Sequence, residues 1–269
     1  MTSTDDLDDL TVALAGLARD VARGGQVLLA FDFDGVLAPL QDDPAASRAL
    51  PVSVDALARL GAVPGVVLAM VSGRGVEDLA DKAEVPEGTH LVGSHGAERG
   101  RWQHGRLERV DLTLEPAAAD RLDGLGTALD AAVTGTTARV EHKPASVVLH
   151  TRSVDPTDAE RLTALALELG EAQGVDAMRG KDVVELAVLH VTKGDALATL
   201  REELAVDALL YAGDDVTDER AFATLGDQDV TIKVGEGATA ARFRVADPHA
   251  LAERLDGLVA LLTQARTGP

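Results

Sequence analysis

The sequence predicts an α/β fold: a Rossmann-like core built on a parallel sheet, with an α+β domain inserted into it. Apolar strands such as 27–33 and 66–71 alternate with helical patterns and end in glycine-rich turns, which is typical of a parallel sheet covered on both faces. The middle third of the chain instead combines two helical patterns with paired strands, which is typical of an α+β module. We therefore expect residues 1–97 and 190–269 to form the core and residues 98–189 to form the inserted domain.

The elements of the first core segment follow from apolar periodicity. Leucines recur at three- and four-residue steps between residues 7 and 17, which predicts an amphipathic first helix. The elements expected after it are strand 27–33, helix 53–60, strand 66–71, helix 75–82 and strand 90–93. The strands are mostly apolar and end close to a glycine, so they fit the buried strands of a parallel sheet.

The middle and last thirds of the chain differ in rhythm. The middle third is expected to contain hairpin 101–112, helix 116–132, strands 137–142 and 146–152, helix 156–173, and strands 175–178 and 182–188. The alternating pattern then resumes with helix 193–204, strand 207–211, helix 217–225, strand 229–233 and helix 249–264. Because the alternation stops and then resumes, we interpret the middle third as an insertion into one domain.

The composition excludes several classes of function. Of the 269 residues, 45 are acidic and 25 are basic, which gives a formal net charge of -20. Nucleic acids and anionic membranes both attract basic surfaces, so neither is an expected partner. The chain has no cysteine, which excludes disulfides, thiolate metal sites and a cysteine nucleophile.

The location and partners are also predicted from simple patterns. The acidic first ten residues do not resemble a signal peptide, and the longest apolar runs have the length of a strand rather than a membrane span. We expect a cytoplasmic protein that acts on a small molecule and is a monomer or a weak homodimer.

Two aspartates, Asp32 and Asp34, follow the apolar run 27–31 and flank a phenylalanine before a glycine. If the strand continues to residue 33, their side chains point the same way, close to its carboxyl end, where open α/β sheets bind ligands. Two neighbouring carboxylates repel each other unless a cation or a shared proton relieves them. The pair therefore predicts a metal ion, and beside a tight glycine turn it suggests phosphate chemistry.

Two further stretches lie at the start of a helical pattern. Ser72 and Gly73 follow the strand 66–71, and a serine hydroxyl with backbone N–H groups at a helix N-terminus can bind an anion. The alternative is that Ser72 only caps the helix. Lys193 begins a later helix, where its positive charge opposes the helix dipole, which favours an anion nearby.

A fourth stretch, residues 211–219, has three aspartates within five positions. Thr217 and the acids after it could cap the following helix, but capping does not require Asp214 and Asp215 as well. A hard divalent cation with oxygen ligands would account for them, and Mg²⁺ is the usual choice beside phosphate. Because all four stretches end a strand or begin the next helix, we expect them to meet at one edge of the sheet.

Together, these stretches resemble, in order and spacing, the four motifs of haloacid-dehalogenase-type phosphatases, and the inserted module is similar to the C2-type cap of that superfamily. Four more stretches narrow the resemblance to trehalose-6-phosphate phosphatases; these are residues 93–98, 140–144 with 150–152, 180–186 and 214–222. The resemblance extends from about residue 25 to residue 264. It implies a HAD-like core with a cap that sets the substrate.

The resemblance implies a role for each core residue. Asp32 would be the nucleophile that forms an aspartyl-phosphate, and Asp34 would protonate the leaving sugar oxygen and then activate water. Ser72 and Gly73 would bind the phosphoryl group, and Lys193 would neutralise its charge. This division agrees with covalent catalysis by a carboxylate assisted by positive charge.

The resemblance also implies a Mg²⁺ site formed by Asp32, the main-chain carbonyl of Asp34, and Asp214, with Asp215 or Asp218 in support. Two places depart from the family pattern, and one of them is the segment 186–190, which lacks the polar pair that is common there. Val36 stands after the glycine where threonine is usual, so one hydrogen bond around the phosphate is expected to be missing.

Substrate specificity is expected to depend on the cap. Glu141, Lys143 and Glu185 match cap positions that would hydrogen-bond sugar hydroxyls, whereas the alternative interpretation is exposed charge pairs on strands. Arg74 and His95, in the turns after the second and third strands, are further candidates for substrate binding.

The function predicted from the resemblance is a Mg²⁺-dependent phosphatase that converts trehalose 6-phosphate to trehalose and phosphate through an aspartyl-phosphate. One alternative is a phosphatase for another sugar phosphate, such as sucrose phosphate or mannosylglycerate phosphate. Two others are a catalytically silent sugar-phosphate sensor and a phosphomutase. A sensor would not need both Asp32 and Asp34, and a mutase would isomerise its substrate without releasing phosphate.

Overall fold

The computed structural model describes residues 4–189 and 191–267. The chain forms two compact units: Met1–Val110 with Thr192–Pro269, which we call the core unit, and Asp111–Val191, which we call the inserted unit. None of the helices in the described part of the chain is long and apolar enough to cross a membrane.

Strands and helices alternate in the core unit as the sequence predicts, and the bounds of the elements of both units are as follows. The strands are β1 (Val27–Phe31), β2 (Val66–Val71), β3 (His90–Gly93), β4 (Glu98–Gln103), β5 (Arg106–Val110), β6 (Arg139–His142), β7 (Ser146–His150), β8 (Asp176–Gly180), β9 (Val183–Ala187), β10 (Ala208–Gly213), β11 (Val230–Val234) and β12 (Phe243–Val245). The helices are α1 (Thr4–Ala22), α2 (Pro51–Gly61), α3 (Val76–Ala83), α4 (Pro116–Val133), α5 (Pro156–Gln173), α6 (Lys193–Leu204), α7 (Val216–Phe222) and α8 (Pro248–Thr267).

The core unit has an eight-stranded sheet in the order β12-β11-β10-β1-β2-β3-β4-β5. The six strands from β12 to β3 run parallel, and β4 and β5 are antiparallel to their neighbours. This confirms the predicted α/β class with a parallel-sheet core. Strand β1 is paired on one side with β10 and on the other with β2, so the residue that follows it lies at the centre of the sheet edge.

Both faces of the parallel sheet are covered by helices. Strand β1 is fully buried, and its side chains alternate between two apolar clusters. Leu29 and Phe31 pack on the side of α1, α2, α3 and α8, whereas Leu28 and Ala30 pack on the side of α6 and α7. A strand buried on both faces cannot show polar alternation, which is why it reads as a continuous apolar run.

The hairpin of β4 and β5 continues the core sheet, because β4 pairs with β3 from Gly93 opposite Glu98 to His90 opposite Arg101. The inserted unit therefore begins at Asp111 and not at residue 98, and it ends at Val191. An antiparallel hairpin is typical of an α+β module, and its local pattern does not reveal which sheet it joins. The predicted boundary at residue 98 is therefore wrong, because the pairing of β4 with β3 assigns the hairpin to the core unit.

Two other features differ from the sequence-based expectation. Strand β12 was not predicted, because three residues are too few to show periodicity. Strand β1 ends at Phe31 and not at residue 33. The chain forms a tight turn there, because the amides of Leu37 and Ala38 both donate to the carbonyl of Phe33 at 3.0 Å.

The inserted unit has an antiparallel sheet in the order β6-β7-β9-β8, with α4 and α5 packed on one face. Its own apolar core joins both helices to the sheet and includes Leu125, Leu129, Val147, Leu149, Leu162, Ala166, Val184 and Leu186. The opposite face of the sheet, which we call the helix-free face, carries the residues in register with Val148, namely Glu141 and Glu185.

Candidate active site

The predicted core residues gather at the carboxyl ends of β1, β2 and β10 and at the start of α6. Asp32 directly follows β1, and its amide donates to the carbonyl of Ala212 at 2.9 Å. Lys193 is the first residue of α6, and its Nζ lies 2.7 Å from Oδ2 of Asp32. The topology thus joins two residues that are 161 positions apart in the chain.

Lys193 lies between two buried carboxylates. Its Nζ also donates to Oδ1 of Asp218 at 2.8 Å, and the exposed fractions of Lys193, Asp32 and Asp218 are 1%, 5% and 0%. Burial lowers the pKa of Lys193, but the two carboxylates outweigh burial and raise it above its ordinary value. The ammonium group is therefore held charged, where it offsets the negative charge beside it.

Asp218 accepts four hydrogen bonds. Oδ1 accepts from Lys193 and from the hydroxyl of Tyr211 at 2.5 Å, and Oδ2 accepts from the amides of Asp214 and Asp215 at 2.8 and 3.0 Å. With two donors on each oxygen, Asp218 has no lone pair left for a metal ion. Its role in this arrangement is to hold the loop after β10 and to orient the lysine.

Asp214 reaches the turn after β1. A Cβ added to Gly35 would lie 2.1 Å from Oδ2 of Asp214, so the absence of a side chain at Gly35 makes room for this carboxylate. Gly35 also has a φ of 76°, which other residues rarely adopt. Burial, together with the carboxylates of Asp218 and Asp215, raises the pKa of Asp214 to about 7.

The carboxylate cluster fits a divalent cation. Burial outweighs Lys193 and raises the pKa of Asp32 to about 8, so two acids of one cluster resist ionisation. Oxygens of Asp32, Asp215 and Asp218 lie within 4.8 Å of one another, although Asp218 is already saturated by donors. A cation with oxygen ligands would relieve the repulsion, and Asp32, Asp214 and Asp215 have oxygens that could hold it.

Asp215 combines two properties. Its Oδ1 accepts from the amides of Thr217 and Asp218 at 2.8 and 3.0 Å, so it caps α7. Burial raises its pKa, but Lys193 and the hydrogen bonds of Thr217 outweigh burial and lower the pKa to about 2. Asp215 therefore remains ionised next to the cluster.

Asp34 lies beyond the end of β1, so strand alternation does not fix its direction. Its carboxylate is held instead by Arg74, whose Nε lies 2.5 Å from Oδ2 and whose second terminal nitrogen lies 2.7 Å from Oδ1. The hydroxyl of Ser47 also donates to Oδ1 at 2.7 Å. Burial lowers the pKa of Arg74, and the carboxylates of Asp34 and Asp78 outweigh burial and raise it.

Ser72 and Gly73 form a turn against residues 93–96. Ser72 is 2% exposed, and its carbonyl accepts from the amide of His95 at 3.0 Å. A Cβ added to Gly73 would lie 2.6 Å from the ring of His95, so the ring packs directly on the glycine. Because α3 begins at Val76 with Gly75 as its N-cap, the alternative that Ser72 caps this helix is wrong.

The three predicted cap residues belong to the inserted unit and form a group on its helix-free face. Lys143 Nζ lies 3.4 Å from Oε1 of Glu185, and the hydroxyl of Ser146 donates to the same oxygen at 2.6 Å. Glu141 is paired with His150, whose Nε2 lies 2.8 Å from Oε2 of the glutamate. The group offers both donors and acceptors on one face.

Sequence reasoning missed three residues of this site. Ser47 contacts Asp34 from a loop, Tyr211 contacts Asp218 from β10, and Lys233 on β11 donates from Nζ to the carbonyl of Asp214. A lone lysine in the apolar strand β11 was a detectable signal, since Lys233 is only 5% exposed. No local signal marks Ser47.

Val36, one of the two departures from the family pattern, is fully buried in the larger apolar cluster. A side chain without a hydroxyl group suits those surroundings, because a buried hydroxyl needs a hydrogen-bond partner.

Comparisons with known proteins find one family model and several relatives that are similar to this chain. A family model described as Trehalose-phosphatase matches residues 30–249. The bifunctional trehalose-6-phosphate synthase/phosphatase of Thermoproteus tenax is 35% identical over 255 residues, which cover 90% of this chain and 33% of that protein. The trehalose-phosphate phosphatase of Mycobacterium ulcerans is 32% identical over 264 residues, which cover 92% of this chain and 65% of that protein.

A solved structure of a trehalose-6-phosphate phosphatase related protein is also similar. It matches with a TM-score of 0.68 and 28% identity, and the match covers 88% of this chain and 99% of that one. The chain thus spans 99% of that structure, but only 33% and 65% of the lengths of the two curated relatives.

Proposed function

Because this chain belongs to the trehalose-phosphatase family, we propose that it is a Mg²⁺-dependent phosphatase that hydrolyses trehalose 6-phosphate to trehalose and phosphate. One observation carries the proposal. Asp32 is a buried carboxylate at the end of the central strand, 2.7 Å from the ammonium group of Lys193 and in the same cluster as Asp214. A carboxylate in this setting can attack phosphorus while positive charge offsets the negative charge of the phosphoryl group.

In the proposed reaction, a carboxylate oxygen of Asp32 forms a bond to phosphorus and the bond from phosphorus to the sugar oxygen breaks. The sugar oxygen keeps the electron pair and takes a proton from Asp34. Water then attacks the phosphorus of the aspartyl-phosphate and gives a proton to Asp34. The bond from phosphorus to the Asp32 oxygen breaks in this step, which releases phosphate and restores the Asp32 carboxylate. Dividing the hydrolysis in this way replaces one difficult step with two easier ones.

Lys193 and Ser72 would serve the phosphoryl group. Lys193 is oriented by Asp218 and can neutralise charge on the transferring phosphoryl oxygens, and the Ser72 hydroxyl and the Gly73 amide can hydrogen-bond them. Asp32, Asp214 and the main-chain carbonyl of Asp34, with Asp215 in support, would hold Mg²⁺. When bound, the ion supplies further positive charge to the phosphoryl oxygens.

The sugar would be recognised by the helix-free face of the inserted unit. Glu141 and Glu185 accept hydrogen bonds and Lys143 donates them, which matches the alternating donors and acceptors of a polyhydroxylated ring. His95, which packs on Gly73, is proposed as a further substrate contact. That the enzyme is cytoplasmic and works as a monomer or weak homodimer remains a prediction.

The test is phosphate release from trehalose 6-phosphate by the purified protein, with Mg²⁺ or with a chelator. We expect Mg²⁺-dependent turnover in the wild type and a loss of at least ~10³-fold in Asp32→Asn, since the nucleophile is removed. Sucrose 6-phosphate and glucose 6-phosphate serve as a substrate panel. Faster turnover of either one would assign a different sugar phosphate, and turnover that survives Asp32→Asn would contradict the aspartyl-phosphate.

A further inference from the structure

We propose that Arg74 and Ser47 together form a clamp that positions Asp34 and selects Oδ2 as its proton-transfer atom. We call these two residues the Asp34 clamp. The inference rests on the proposed function, in which Asp34 is the acid and base. Neither side chain reaches the reacting atoms in this role, so both are positioning residues.

The two oxygens of Asp34 are engaged unequally. Oδ1 accepts from the Ser47 hydroxyl and from a terminal nitrogen of Arg74, both at 2.7 Å, whereas Oδ2 accepts only from Nε of Arg74 at 2.5 Å. A carboxylate oxygen has two lone pairs, so Oδ1 is saturated and Oδ2 keeps one. The remaining lone pair on Oδ2 is the place where a proton can be carried.

Arg74 has little capacity left for a substrate. Besides Asp34, its guanidinium donates to Oδ2 of Asp78 at 2.6 Å and to the carbonyl of Pro44 at 2.9 Å. These contacts use four of its five N–H groups, and only 11% of its side chain is exposed. The group also lies 5.4 Å from the centre of the Phe33 ring. We therefore assign Arg74 to positioning rather than to the substrate contact expected from the sequence.

Ser47 is buried, although it lies on a loop. Only 1% of its surface is exposed. The turn before it, Pro44–Ala46, is held by the ammonium group of Lys82, which donates to the carbonyl of Ala45 at 2.9 Å. Arg74 holds the same turn through Pro44. One guanidinium thus fixes both the carboxylate and the loop that brings the hydroxyl to it.

The clamp has a consequence that depends on the leaving group. A sugar alkoxide needs a proton as it leaves. The rate of the step that releases the sugar therefore depends on how well the Asp34 carboxyl group is positioned against the leaving oxygen. A nitrophenolate leaves without a proton, so the same step with p-nitrophenyl phosphate does not depend on Asp34. A residue that binds the phosphoryl group would instead affect both esters alike.

The experiment compares Ser47→Ala, Ser47→Thr, Arg74→Gln and Arg74→Lys with the wild type, after thermal unfolding has shown which variants are folded. Rapid mixing measures the rate of first-product release from trehalose 6-phosphate and from p-nitrophenyl phosphate, and steady-state assays give KM. We expect losses of ~10-fold for Ser47→Ala and ~100-fold for Arg74→Gln with the sugar ester, and less than ~3-fold with the aryl ester, because only the sugar step needs an aimed acid. KM should stay within ~3-fold.

The conservative variants separate the clamp from a general structural effect. Ser47→Thr retains the hydroxyl and should restore most of the rate, whereas Arg74→Lys retains the charge without the two-pronged contact and should remain slow. Equal losses on both esters, or a raised KM with an unchanged kcat, would overturn the clamp. A wild type that hydrolyses a different sugar phosphate fails only the proposed function, and the clamp is then tested with that ester. A wild type that hydrolyses neither kind of ester overturns both.

Discussion

At the scale of residues, the site is defined by the charge of Lys193, which acts on four carboxylates: Asp32, Asp214, Asp215 and Asp218. Lys193 contacts Asp32 and Asp218, and an oxygen of Asp215 lies within 4.8 Å of oxygens of both acids. Asp214 is close enough to Asp218 and Asp215 for their charges to raise its pKa. Burial removes water from these carboxylates, and mutual repulsion adds to its effect. The pKa of Asp32 rises to about 8 and that of Asp214 to about 7, so the protein without metal tends to keep protons where a cation would bind.

This electrostatic balance predicts that the metal-free protein loses stability as the pH rises from 6.5 to 8. The folded-state pKa values of Asp32 and Asp214 are raised above the ordinary value, so their contribution is complete below about pH 4 and is lost through pH 7 to 8. Burial lowers the pKa of His90 from its ordinary 6.5 to about 4, so its protonation in the unfolded state opposes the fall slightly near pH 6.5 and is almost gone above about pH 7.5.

Calorimetry in a chelator should therefore show the Tm falling by several degrees across this range, and saturating Mg²⁺ should reverse the fall at pH 8, since the cation replaces the bound protons. Asp214→Asn is the matched control and should flatten part of the profile. A Tm that rises between pH 6.5 and 8 in the chelator would contradict the assigned direction.

At the scale of elements, the starts of two short helices carry the charged residues of the site. Helix α6 begins with a capping box between Thr192 and Asp195, and α7 begins with one between Asp215 and Asp218. Each box satisfies amides that would otherwise lack partners, so the helix start is fixed relative to the sheet edge. The same residues thus stabilise a helix and orient the groups beside it.

The double role of Asp215 gives a prediction for α7. Asp215→Ala removes the acceptor of the Thr217 and Asp218 amides and should lower the free energy of unfolding by about 1 kcal/mol relative to Asp215→Asn, which can still cap. Both variants remove the same charge, so their difference, measured by urea denaturation, isolates the cap.

Titration calorimetry with Mg²⁺ then tests the charge. Both variants should bind the ion more weakly than the wild type, because each lacks the carboxylate that supports the cation. Equal stability of the two variants would mean that the cap contributes nothing.

At the scale of the whole molecule, the chain is organised as two units, each with its own apolar core. The inserted unit pairs all its strands within itself, and its helices α4 and α5 cover one face of its sheet. The core unit is formed by two chain segments, and its strands β1 and β10 become neighbours across the insertion.

We expect residues 111–191 to fold on their own. Their sheet is complete without the core unit, and domains of this size with a continuous apolar core commonly fold alone. The isolated segment should give a cooperative thermal transition by circular dichroism. Leu149→Asp, which places a charge in its core, is the matched control and should abolish that transition; a wild-type segment without a transition would contradict the prediction.

The local sequence was sufficient for the parts of the fold that depend on local properties. Apolar runs, glycine turns and helical periodicity were enough to predict the parallel core. Burial on two faces requires apolar residues and tight turns favour glycine, so both are visible in the sequence. The hairpin of β4 and β5 was assigned to the wrong unit for the opposite reason. Its pattern is the same whichever sheet it joins, and only its pairing with β3 decides.

The sequence by itself determined the parallel architecture and the residues that carry charge to its edge: Asp32, Lys193 and Asp214. Only the tertiary structure decided how those charges are partnered. Asp34 points according to its contacts with Arg74 and Ser47 rather than strand alternation, since β1 ends before it. Partners in a buried cluster are chosen by distance and by the loss of water, and neither is recorded in the order of residues along the chain.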